Sequence, residues 1–394
     1  MSCVIAGGGP AGAMLALILA RSGVEVTLLE KHADFLRDFR GDTIHPSTLQ
    51  VLDELGLAEE FHKLPHRKAY GLDLVSDTGR VRMATLRGMP GYDYIAFVPQ
   101  WDFLNLITSA AARYPSFRLV MKAEADDLIR EDGVVRGLRY RDASGTHEVR
   151  AALTVAADGR HSDLRRVAGL VPQEFGAPMD VLWFRMPRVS TDPEETFLRV
   201  SAGHLMVSIN RETYWQLAYV IPKGGYERLR SEGISALREP VGRLLPYMKD
   251  RVDQLESFAE VSELTVAINR LRQWYLPGFL CIGDAAHAMS PVFGVGINLA
   301  VQDAVATANL LAGSLRSGAP IPPSTLALVQ RRRMFPTRVT QAAQRVAQNR
   351  LIKPALSGQL QAARIPEISK IPVLNRLARR FIGQGIRPEH VSIR

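Results

Sequence analysis

The sequence predicts an α/β fold. A parallel sheet with helices is interrupted by a mainly antiparallel β-sheet domain and followed by C-terminal helices. Three observations predict it. The first thirty residues read strand, glycine turn, helix, strand. After about residue 172 the pattern changes to short alternating runs with aromatics. From residue 298 onward the chain reads mostly as helix. The bulk values agree. The 394 residues are 46% hydrophobic and 23% charged, a globular profile long enough for a large core and two domains.

The opening element is "CVIAGGGPAGAMLALILARSGVEVTLLEK". Residues 3–6 are a short apolar strand, and residues 13–21 are rich in helix formers. Residues 24–29 are apolar again and end in Glu30, 18 residues after Gly12. Gly7, Gly9 and Gly12 form GxGxxG. Gly7 permits the tight turn, Gly9 lets backbone approach a pyrophosphate, and Gly12 lets the helix pack on the strand. Free N–H groups at the helix start then face phosphate. Glu30 can accept hydrogen bonds from a ribose. The unit is Rossmann-like and binds a dinucleotide; by itself it leaves NAD and FAD both open.

Composition excludes several classes. The formal charge is +9, but residues 331–394 hold 14 Lys+Arg against 2 Asp+Glu. The first 330 residues carry 35 basic and 38 acidic side chains, so the basic character belongs to the tail. No nucleic-acid-binding motif accompanies it, and no nucleic-acid partner is expected. No run of 18 apolar residues occurs, so no spanning helix is expected. The N-terminus enters a strand by residue 3, leaving no room for a signal peptide. Cys3 and Cys281 lie in apolar strand-like runs and read as buried thiols in a reducing compartment. A cytoplasmic protein is expected. Without CxxC, neither a dithiol redox centre nor a zinc ribbon is indicated, and no metal site is expected.

Two further signatures follow. In "LTVAADGRHSDLRRVAG", residues 153–169, an apolar strand ends at Asp158-Gly159, with Ser162 and Arg165 at helical spacing behind it. In "GDAAHAMSPVFGVGINLAVQDA", residues 283–304, an acid and a histidine precede Pro291, then Gly294 and Gly296 open a helix. The order GxGxxG, DG, GD resembles the p-hydroxybenzoate hydroxylase-like family of single-component FAD-dependent aromatic hydroxylases. Arg40 before "STLQVLDELGL" and Gln100 opening "QWDFLNLITSAA" match further family segments. The resemblance covers roughly residues 1–330 and is specific in the nucleotide-binding parts.

The resemblance implies a role for each matched residue. Glu30 would bind the adenosine ribose. Arg40 and Gln100 would contact the pyrophosphate and ribityl chain. Asp158 would brace the pyrophosphate and has a link to NADPH. Asp284 would bind a ribityl hydroxyl. Gly294, Val295, Gly296, Ile297 and Asn298 would present backbone N–H groups to the flavin N1–C2=O edge, where a helix N-terminus stabilises negative charge. Pro291 would stiffen the turn near the reactive face. His287 reads as a packed structural histidine, and His45 in "RGDTIHPSTL" stays open between a place near the flavin and a turn. No protein side chain is assigned the chemistry.

The implied reaction is monooxygenation. NAD(P)H would reduce FAD, O₂ would form a C4a-hydroperoxide, and oxygen would pass to an aromatic or otherwise electron-rich, fairly apolar small molecule. The alternative is an FAD-dependent reductase or dehydrogenase of the same superfamily, such as a prenyl-chain reductase. A flavin-dependent halogenase is disfavoured because no WxWxIP segment is present. The organisation expected is residues 1–72, 100–171 and 270–330 for FAD, 73–99 as an insertion on the substrate side, 172–269 as substrate sheet, and 331–394 as a basic helical region.

The sheet's runs "DVLWFRMPR", "HLMVSINR" and "YWQLAYVIP" offer Trp183, Met206, Trp215 and Tyr219 as substrate wall, with Arg185 and Gln216 beside them. Strand alternation lets only about half of them face it. Pro336 is expected to kink the helix around it. "SKIPVLNRLARRFIG" is an amphipathic basic helix. It reads as packed on its own protein, or alternatively as a weak contact with an anionic membrane surface. The oligomeric state stays open between monomer and homodimer.

Overall fold

The computed structural model describes residues 2–36, 43–77, 79–359 and 368–393. Ser2–Ala6 lies inside a six-stranded sheet. Its neighbours are Leu153–Ala156 on one side and Glu25–Glu30 on the other, both parallel to it. Phe117–Met121 extends the sheet beyond Glu25–Glu30, and Phe279–Cys281 extends it beyond Leu153–Ala156. All five strands are parallel; only Tyr275–Leu276 at the edge runs the other way. The central strands Ser2–Ala6, Leu153–Ala156 and Phe279–Cys281 are buried on both faces, which explains their nearly unbroken apolar runs. Cys3 and Cys281 are both buried free thiols in these strands.

Two helices build the layer against this sheet. Pro10–Arg21 packs on Gly296–Ser317 and on Gln100–Ala111. Gly296–Ser317 is apolar and long enough to cross a membrane by length and composition. Most of its surface is instead buried between Pro10–Arg21 and the following helix Pro323–Ala347. It is a core helix. Pro323–Ala347 is one continuous helix with Pro336 inside it. Thr337 Oγ1 donates to Arg333 C=O at 2.8 Å just beyond the proline, so the local turn is held by a side chain.

The second layer is a seven-stranded sheet. Its order is Ser262–Leu264, Met179–Pro187, Tyr214–Pro222, His204–Asn210, Phe197–Ser201, Gly71–Ser76, Gly79–Thr85. All pairings are antiparallel except Phe197–Ser201 with Gly71–Ser76. One face is covered by the helices Tyr226–Ser231 and Ser235–Leu244. The other face meets Val292, Ile352 and the C-terminal helix Pro372–Gly383. The final residues fold back over the nucleotide domain, where Val391 N–H donates to Glu54 Oε2 at 2.8 Å.

A buried ion cluster joins the long helices. Asp303 Oδ1 accepts from Arg333 Nε at 2.9 Å; Oδ2 meets His287 Nε2 at 2.6 Å and accepts from Gly283 N–H at 3.1 Å. Burial pushes the Asp303 carboxyl up, but His287 and Arg333 together hold it below its usual range. Removing one partner of such a pair strands the other in low dielectric. Asp303→Ala is therefore expected to lower stability by about 3–5 kcal/mol. A urea titration with a midpoint unchanged from the parent chain would contradict this.

Candidate active site

Three turns meet at the carboxyl ends of the parallel strands. The first follows Ser2–Ala6. Gly7 sits at φ +102°, and a Cβ there would lie 2.3 Å from the Ala157 carbonyl oxygen. Only glycine makes this turn against the neighbouring strand end. A Cβ on Gly12 would lie 2.0 Å from Gly7 O, so the helix is closed down on the turn. Gly9 differs: nothing stands within 4 Å of where its Cβ would be. It opens the helix Pro10–Arg21 and leaves bare N–H groups beside open space, the geometry a pyrophosphate requires.

Glu30 closes one side of that turn. Its Oε2 accepts from Gly8 N–H at 2.9 Å, and its Oε1 accepts from His32 N–H at 3.0 Å. The carboxylate is buried and braces the glycine turn. Its Oε1 also meets His32 Nδ1 at 2.8 Å, which ties the end of the strand to the carboxylate.

The second turn is Asp158-Gly159-Arg160. Asp158 Oδ2 accepts from Leu164 N–H at 3.2 Å, while Oδ1 is buried with no partner among the described residues. Burial raises the Asp158 carboxyl above its usual range. Ser162 caps the short helix Asp163–Val167 through Arg165 N–H. The third turn, Gly283–Ala285, carries Asp284. Sequence reading missed what joins these two. Arg165 Nη1 donates to Ala285 C=O at 3.0 Å, and Nη2 to Arg160 C=O at 2.8 Å. Arg160 Nη2 stands 3.6 Å from Asp284 Oδ2. The one available signal was Arg165 three residues after a capping serine.

The loop 291–295 leads into Gly296–Ser317. Phe293 holds φ +70°, a strained value for a bulky residue, and Gly294 follows at φ +64°. A Cβ on Gly294 would meet Thr43 Oγ1 at 2.6 Å, and that hydroxyl donates to Gly294 C=O at 2.6 Å. Gly296, like Gly9, has nothing within 4 Å of a Cβ. Val295, Ile297 and Asn298 are buried around it. Asn298 Oδ1 accepts from His45 N–H at 3.1 Å and from Thr48 Oγ1 at 2.6 Å. Bare helix-start N–H groups beside open space, plus an unpartnered Asp158 oxygen, fit a dinucleotide with a ring at Gly296. Gln100 starts its helix after Pro99 and is half-buried. Arg40 lies outside the described residues.

His287 points away from these turns into the Asp303 cluster, against the Trp274 ring at 4.9 Å. His45 is buried beside the start of Gly296–Ser317, and its Nδ1–H donates to Ile382 C=O at 2.7 Å. It thereby ties the loop region to the C-terminal helix.

The substrate wall needs a correction. Met206, Trp215 and Tyr219 lie on the face covered by the helices, packed with Leu237, Val241 and Leu244. Trp215 Nε1 donates to the buried Asp192 at 2.8 Å, so it is core. Trp183 alternates to the other face, where it touches Val207 and packs toward Val292 and Phe381. Arg185 and Gln216 share Trp183's face by register. The sequence showed the alternation but not its phase.

Comparisons with known proteins agree with this geometry. A family model described as FAD binding domain matches residues 1–343. The 6-methylpretetramide 4-monooxygenase of Streptomyces rimosus is 33% identical over 387 residues, covering 96% of this chain and 91% of that protein. The 1H-pyrrole-2-carbonyl-[peptidyl-carrier protein] brominase of Pseudoalteromonas luteoviolacea is 24% identical over 78% of this chain and 76% of its own. PqsL of P. aeruginosa, solved with 2-aminobenzoylacetate, superposes with TM-score 0.78 at 20% identity, over 91% of this chain and 99% of that one. The chain belongs to the FAD-binding-domain family of flavoproteins. Within it, it is an FAD-dependent monooxygenase.

A Cβ at Gly9 meets no atom within 4 Å, so Gly9→Val should fold with the denaturation midpoint of the FAD-free parent chain yet purify without yellow colour. A variant that retains FAD would show that nothing bulky approaches Gly9. His45 is pushed down to about 4 by burial, which outweighs the opposing carbonyls of Ile382 and Gly294. Unfolded, it takes a proton below about 6.5. Stability should therefore fall as pH drops from about 6.5 to 4, by about 3 kcal/mol in all. His45→Asn should remove that part of the slope, read from urea titrations at both ends of the range.

Proposed function

We propose that the chain hydroxylates a flat, fairly apolar aromatic molecule with several fused rings, using O₂ as co-substrate and NAD(P)H as reductant. The observation that carries this reading is the wall opposite the flavin-facing loop. Trp183, Val207, Leu205 and Ala218 form one apolar cluster with Val292, the neighbour of Pro291. A flat ring system is the shape that fits between a sheet face and a flat cofactor. The name of the Streptomyces rimosus relative, a 6-methylpretetramide 4-monooxygenase, supports a substrate of that class.

FAD, when bound, supplies the reductive activation of O₂. The chain's own residues bind and orient it. Gly9 and the start of Pro10–Arg21 receive the pyrophosphate, Glu30 the adenosine ribose, and Gln100 and Asp284 the ribityl chain. Arg160 holds the Asp284 carboxylate in place. The N–H groups of residues 296–298 would hold the ring's electron-rich edge, where a helix N-terminus favours negative charge. The apolar wall and the C-terminal helix exclude water from the reacting face.

The test is ligand-stimulated NAD(P)H oxidation across phenols, quinolones and polyketide aromatics under labelled dioxygen. One labelled oxygen atom per product molecule is expected. Stimulated oxidation that leaves every product unlabelled would assign the chain to the reductase alternative.

A further inference from the structure

The C-terminal helix Pro372–Gly383 uses only part of its apolar surface. Ala378, Phe381 and Ile382 face inward, toward Trp183, Val207 and Met89. Asn375 Oδ1 accepts from Thr85 N–H at 3.2 Å, which lays the helix along the sheet's edge strand. The rest of the apolar arc stands in solvent. Ile371 is 44% exposed, Val373 69%, Leu374 44% and Leu377 61%. These are four of the ten exposed large hydrophobic side chains among the described residues, and they fall within seven positions. Scattered singly they would need no explanation; gathered on one helix they form a patch.

The flank of that patch is positive. Arg376 and Arg380 are exposed one turn apart on the side next to Val373 and Leu377. Residues 368–388 contain five Lys+Arg and no Asp or Glu. An aliphatic strip bordered by arginines suits a plane that is apolar inside and anionic at its surface. It does not suit a second copy of this chain. A two-fold contact would set each patch against itself and bring like-charged arginines together.

We propose that this helix docks the enzyme on an anionic lipid surface. Ile371, Val373, Leu374 and Leu377 enter the acyl boundary, and Arg376 and Arg380 lie among the headgroups. The same helix meets Phe293 of the loop before Gly296–Ser317 through Phe381, so docking sets that loop beside the bilayer, where an apolar aromatic substrate concentrates. The docking itself does not depend on which reaction the chain performs.

Co-sedimentation of the full-length holoenzyme with vesicles tests it. Equimolar phosphatidylglycerol–phosphatidylcholine vesicles should bind the enzyme, and phosphatidylcholine alone should not. Leu374→Asp with Leu377→Asp should abolish binding while leaving flavin content unchanged and lowering the melting temperature only slightly, because the two side chains are 44% and 61% exposed. Arg376→Gln with Arg380→Gln should weaken partitioning about 25-fold, at about fivefold per charge. No binding to the anionic vesicles overturns the proposal, as does binding that the leucine pair leaves unaltered. A parent chain that sediments as a dimer, made monomeric by the leucine pair, would likewise overturn it in favour of a second copy.

Discussion

The carboxylate of Asp303 joins three stretches that are distant in sequence: the Gly283 turn, the long apolar helix, and the helix that carries Arg333. It is wholly buried, as are His287 and Arg333. A buried charge is tolerable only when every neighbour is in register, so the cluster admits one relative placement of these elements. That placement aims the start of Gly296–Ser317 at the carboxyl ends of the strands. The open space beside Gly296 exists because the helix behind it cannot slide.

Around that constraint the site is built more from missing side chains than from present ones. Gly9 and Gly296 have nothing where a Cβ would stand, and both open a helix. The polar side chains nearby act differently, by tying turn to turn. Arg165 spans Ala285 and Arg160, Arg160 reaches Asp284, and Thr43 holds Gly294. Phe293 accepts a backbone strain of about 1–3 kcal/mol within this frame. Its ring meets Phe381 edge-on at 5.9 Å, which places the strained loop in direct contact with the C-terminal helix.

The substrate side divides by pleat. Along Met179–Pro187, odd-numbered Val181 and Trp183 face the flavin-bearing domain, and even-numbered Leu182, Phe184 and Met186 face the helices. The two faces are similarly apolar, because both are covered. Composition therefore carries no sign of which face meets ligand. The C-terminal helix has the same double character: its inner side packs against the sheet, and its outer side is left to the surroundings.

The sequence by itself determined the nucleotide-binding half. GxGxxG, the DG turn and the GD turn act through backbone, and backbone geometry is written locally in glycines, capping residues and strand-end acids. Those residues stand where the three turns meet, with Arg40 outside the described part. Tertiary structure alone decided the rest. The phase of the seven-stranded sheet put Trp183 on the face that meets Val292 and Trp215 under the helices Tyr226–Ser231 and Ser235–Leu244, and nothing local distinguishes the two tryptophans. His45 reaches Ile382 across 337 positions, and Arg333 reaches Asp303 across 30. Such pairings depend on where whole helices and sheets come to rest, and that is set by the summed burial of many side chains rather than by any short motif.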